Sequence, residues 1–148
     1  MRSIFYFLIF VSVFFSSCSK DDDPVNFNLG LIEVFPLNII EFQENIYVRL
    51  SYEHPEGFLG FSDPDYLSLE VKDSRLSQAD YYHVIPITPP NNNLSVTGEL
   101  LVEIDSPFLF GNGNTELVNF SIRIQDQNLS WSNTITTPNI SVNREWEY

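Results

Sequence analysis

The chain has 148 residues, with 20 Asp and Glu against 7 Lys and Arg, and a formal charge of −13. So few cations exclude binding along a phosphate backbone and direct adhesion to an anionic lipid surface. A single cysteine excludes an internal disulfide, and one alanine among many Phe, Tyr, Asn and Ser excludes long helices in favour of strands and turns.

In chain order, the first element reads as a leader. Met1-Arg2 is a short positive region. Ile4 to Phe15 is an apolar run, too short to cross a bilayer core of about 30 Å, which takes roughly 20 residues. Ser16-Ser17 precede Cys18, and Ser19-Lys20-Asp21-Asp22-Asp23 follow it. This arrangement resembles a bacterial lipoprotein signal, with cleavage before Cys18, whose sulfur then carries a lipid with acyl chains such as palmitate. Lys20 followed by Asp21, Asp22 and Asp23 resembles the export tag of surface lipoproteins in Bacteroidota. The resemblance implies a signal peptide over 1–17, a lipidated and acidic tether over 18–27 and a domain over 28–148. It also implies attachment to the outer membrane through lipid, facing the cell surface.

Short alternating runs follow. Leu29 to Phe35 predicts a strand stopped by Pro36. Ile46, Val48, Leu50 and Tyr52 alternate with polar neighbours, as do Leu67, Leu69 and Val71. Tyr81 to Thr88 predicts a strand that Pro86 places at an edge or bulge. Thr88 to Asn93 predicts a turn. Val96, Gly98, Leu100, Val102 and Ile104 share one face, with Gly98 marking a bulge or a close neighbour. After the Gly111 to Asn114 turn, Val118, Phe120, Ile122 and Ile124 form the most regular amphipathic run. Asp126-Gln127-Asn128 turns the chain back into Thr134 to Thr137, and Ile140 with Val142 closes the domain. About seven such strands, each with one apolar face, predict an all-β, immunoglobulin-like antiparallel sandwich. A small closed barrel is the alternative.

Few residues carry a chemical pattern. Glu53, Glu56, Asp63 and Asp65 fall in one loop and are weak candidates for calcium, because calcium needs six to eight oxygens. Turn formation by Pro55-Glu56-Gly57 and Asp63-Pro64-Asp65 explains them equally. His54 and His83 lack the spacing of a zinc site, and no Gly-x-Ser-x-Gly elbow accompanies them. Carboxylate pairs abound, but a sandwich of this size leaves little room for a glycosidase cleft. We therefore expect no enzyme and no cofactor. Trp131, with Tyr81 and Tyr82, is the candidate ligand or partner contact, and Phe58 and Phe61 are further aromatic candidates to join it. Trp131 is first expected to cap the core end and second to be an exposed stacking platform. Asn93, Asn119, Asn128 and Asn139 begin Asn-x-Ser triplets that carry no meaning on a bacterial lipoprotein. Trp146 and Tyr148 form either a frayed end or a docking peptide.

Tyr52 to Asp65 and Ile122 to Ile140 resemble a group of uncharacterised Bacteroidota lipoproteins with an Asp/Gly-rich loop after the second strand and a closing hairpin. Here Glu53, His54, Pro55 and Glu56 stand where that group has Asp-x-Asp-Gly-Asp. The resemblance brings no activity with it. The expected role is a non-enzymatic accessory or interaction subunit of an outer-membrane envelope complex, with an integral outer-membrane protein as partner. The competing expectation is a surface glycan-binding lipoprotein of a nutrient-uptake system.

Overall fold

The computed structural model describes residues 27–57, 59–87 and 94–145. Cys18, Lys20, Asp21, Asp22 and Asp23 lie outside them, as do Phe58, the turn expected over 88–93, Trp146 and Tyr148. The described chain is all β, with no helix.

One antiparallel sheet has β1 (Asn28–Phe35), β3 (Ile46–His54) and β6 (Val96–Ile104) in the order β1-β3-β6. Its middle strand alternates strictly, so Ile46, Val48, Leu50, Tyr52 and His54 are buried while the residues between them face outward. A second sheet orders β5 (Asp80–Tyr82), β4 (Leu69–Asp73), β8 (Phe120–Ile124) and β9 (Ile135–Thr136) as β5-β4-β8-β9. A third orders β2 (Asn38–Ile40), β10 (Ile140–Asn143) and β7 (Thr115–Val118) as β2-β10-β7, with β2 parallel to β10.

The second and third sheets are halves of one bent hairpin. Only Asn119 separates β7 from β8, and Thr137 to Asn139 separates β9 from β10. The bend is held by Thr137 N–H donating to Phe120 O at 2.9 Å and Phe120 N–H donating to Thr137 Oγ1 at 2.9 Å. Asn133 stitches this hairpin to the first sheet. Its Oδ1 accepts from Leu29 N at 2.7 Å and its Nδ2 donates to Leu29 O at 2.9 Å, so a side-chain amide takes the place of a strand residue. All three sheets contribute to one apolar core, including Leu50, Val71, Ile122, Ile140 and Ile39. Each such aliphatic side chain contributes about 1.5–3 kcal/mol by leaving water.

Several boundaries differ from the alternation pattern. Ten strand segments stand among the described residues where about seven are expected. The long run through Val118 to Gln125 is divided at Asn119, and the closing run is divided around Pro138. The three-residue β2 is too short for periodicity to reveal. The strand expected over Tyr81 to Thr88 ends at Tyr82. Beyond it, Phe61 N–H donates to Val84 O at 3.0 Å and Ile87 N–H to Leu59 O at 2.9 Å, so this segment pairs with the β3–β4 connection instead. Gly98 makes no bulge, since β6 stays in register with β3 throughout. Tyr52, directly opposite, fills the space a Cβ at Gly98 would need.

Candidate functional site

Alternation on β4 and β8 turns Glu70 and Arg123 outward, and register sets both beside Tyr81 of β5. Arg123 Nε donates to Glu70 Oε1 at 2.9 Å, its Nη2 donates to Oε2 at 2.7 Å, and Tyr81 O–H donates to Oε2 at 3.0 Å. The Arg123 guanidinium also lies 4.3 Å from the centre of the Trp131 ring, within cation–π range. Hydrogen bonds from Arg123 hold the Glu70 carboxyl below its ordinary pKa, against the opposing effect of burial. A groove of about 440 Å³ runs beside this row, lined by Glu70, Lys72, Gln78, Tyr81 and Arg123.

The structure thus brings Trp131 and Tyr81 to one face. Tyr82 is not with them, because the next residue of a strand points to the opposite side and lines an apolar slot with Leu100 and Val102. Trp131 is half-buried against Arg123 and is not among the buried core residues, which differs from the expected core cap. Phe61 is occupied by Tyr66, whose ring is stacked 3.9 Å away, centre to centre.

The loop acids are dispersed. Asp63 Oδ1 accepts from Asp65 N at 3.0 Å in a turn, Glu56 Oε2 accepts from Asn128 Nδ2 at 3.2 Å, and Glu53 is exposed on β3. Among the described residues no three His, Cys, Asp or Glu side chains converge on a metal-sized point. His54 is fully buried and both ring nitrogens are taken. Nδ1 accepts from Gly57 N at 2.9 Å and Glu56 N at 3.2 Å, so Nε2 carries the proton and donates to Asp126 Oδ2 at 3.1 Å. The pair clasps the end of β3 to the β8–β9 turn. His83 Nδ1 meets Tyr66 O at 3.1 Å.

A further cluster escaped the sequence reading. Phe42, Phe108 and Phe110 are all exposed, Phe42 by 71%. Phe42 and Phe108 stack with centres 5.4 Å apart and planes 9° from parallel, and Phe110 meets Phe108 edge-on at 5.1 Å. Arg75 organises them. Its guanidinium sits 4.3 Å from the centre of the Phe110 ring, Nη1 donates to Phe108 O at 2.8 Å and Glu116 Oε2 at 3.0 Å, and Nη2 donates to Asp73 Oδ2 at 2.7 Å. Glu116 also accepts from Gly111 N at 2.7 Å and Phe110 N at 3.1 Å, and these backbone bonds lower its pKa. Phe42 has φ of 65°, a conformation that is costly for an aromatic residue. The usable signal was Phe108-Leu109-Phe110, where Leu109 is buried and its two neighbours are not.

β1 begins beside Glu53, whereas the turn after β2 and the loop after β6 lie at the opposite pole. The start of β1 at Asn28 and the Phe cluster are therefore separated by the length of β3, roughly 30 Å. No protein-family model, no curated protein and no solved structure matches the chain in comparison.

Proposed function

We propose that the chain is a lipid-anchored, non-enzymatic interaction subunit of an outer-membrane envelope complex, attached through Cys18 and engaging an integral outer-membrane protein through Phe42, Phe108 and Phe110. The observation that carries this reading is the exposed, pre-organised aromatic cluster. Exposed aromatic rings in one rigid group act as binding anchors because they bury a large area at little entropic cost. Phe42 in particular keeps a strained backbone while burying little of its ring, which favours a binding role over a packing role. An immunoglobulin-like arrangement is supported by β1-β3-β6 sharing one core with a sheet built on β4 and β8, and by β2 running parallel to the last strand.

The second reading is a surface glycan binder, favoured by a groove lined by Tyr81 and Arg123, with Trp131 against Arg123 on the same face. The test is co-purification from mild detergent. Phe42→Gly, which relieves the positive φ, combined with Phe108→Ala should leave a folded protein that no longer brings down its membrane partner. Trp131→Ala with Tyr81→Ala should retain that partner. The reverse pattern, with retardation of the native protein in polysaccharide-containing gels, would transfer the assignment to glycan binding.

A further inference from the structure

β6 is an edge strand, and no strand lies beside it on the side away from β3 among the described residues. Along that free edge the two layers leave an apolar slot of about 440 Å³. Leu69, Val84 and Val102 form its buried floor, while Leu101 and Ile85, exposed by 54% and 76%, stand at its rim. A nine-residue edge beside accessible apolar side chains is the geometry of strand addition, in which backbone bonds supply affinity and alternate side chains enter the slot.

The outward residues of β6 decide what kind of strand fits. Thr97, Glu99, Leu101 and Glu103 alternate with Gly98, Leu100 and Val102. Glu103 accepts from Asn45 Nδ2 at 2.7 Å and Tyr47 O–H at 3.2 Å. Neither Glu99 nor Glu103 has a cation within 4.0 Å among the described residues. A second copy paired antiparallel about Leu101 would set Glu99 opposite Glu103 twice, and like charges directly opposite are destabilising. A strand carrying Lys or Arg at those positions would instead neutralise both.

We infer that the free edge of β6 and its apolar slot receive an extended segment of another protein that alternates apolar residues with Lys or Arg. Phe108 and Phe110 line a neighbouring hollow past the end of β6 that shares Tyr82 with the slot, so the two surfaces are tested with different variants.

The probe is a nine-residue peptide alternating Val and Lys, matched in length to β6. It is added to the full-length protein and followed by fluorescence anisotropy and hydrogen exchange. Saturable binding with new amide protection over Val96–Ile104 is expected. A scramble of the same composition should bind about tenfold more weakly because it cannot fill the slot on alternate positions. Glu99→Lys with Glu103→Lys, both exposed positions, should reverse the preference toward a Val-Glu peptide. Three results would each overturn the inference. They are equal binding of the scramble, peptide-induced protection only outside β6, and protection of β6 by self-association without peptide.

Discussion

Glu70 shows how one side chain can be read in two conditions. It accepts two hydrogen bonds from Arg123 and one from Tyr81 on a partly shielded sheet face. Its folded pKa therefore lies below the ordinary value of 4.5. A depressed carboxylate pKa stabilises the fold at pH above the unfolded value, and that contribution disappears as pH falls through the folded value. Arg123 is 38% exposed, so solvent screening holds the contribution to about 1 kcal/mol or less. Glu70→Gln should thus be less stable than the native protein at neutral pH. Chemical denaturation should show the gap narrowing as pH drops below 4.5. A gap that stays constant down to strong acid would mean that packing, not charge, links Glu70 to Arg123. The same row explains Trp131, whose ring is covered by a guanidinium and not by the core.

At the scale of elements, the clasp between β3 and the β8–β9 turn is the most consequential polar contact. Asp126 is buried, accepts from His54 Nε2 at 3.1 Å, and accepts from Ser130 N at 2.8 Å through its other oxygen. Asp126→Ala leaves the buried His54 Nε2–H without a partner, a cost of about 1–3 kcal/mol, while the Ser130 N–H is exposed and can turn to water. Asp126→Asn keeps an acceptor oxygen and should cost less, with hydrogen exchange in the 126–132 turn rising most in the alanine variant. Equal stability of both variants and the native protein would show that the clasp contributes nothing. Local alternation made β3, β6 and β8 legible, because a half-buried strand prints its two faces into consecutive residues. It could not show β2, which is three residues long and pairs with a strand about a hundred positions later. Nor could it assemble the sites. His54 and Asp126 are 72 residues apart, Glu70 and Arg123 are 53 apart, and Arg75 and Glu116 are 41 apart. Trp131 and Tyr81 were legible as aromatic residues near turns, whereas their common face depends on strand register.

At the scale of the whole molecule, charge bears directly on the proposed attachment. A formal charge of −13 repels anionic lipid surfaces, so the proposed membrane attachment rests on lipid carried by Cys18. Each buried CH₂ adds about 0.8 kcal/mol, and two or more chains anchor stably where one does not. Cys18→Ser should therefore leave the domain folded, with an unchanged thermal transition, while moving it from the membrane fraction to the soluble one. If Lys20, Asp21, Asp22 and Asp23 direct export to the outer face, their replacement by Ala should keep the protein membrane-bound. It should also hide the protein from protease added to intact cells. The two variants separate anchoring from sidedness, since the first changes fractionation and the second changes only accessibility. Retention of the Cys18→Ser protein on washed membranes would transfer attachment to a protein partner. In that event the exposed Phe42, Phe108 and Phe110 become the surface to test next, because an acidic domain without lipid needs apolar contacts to stay bound.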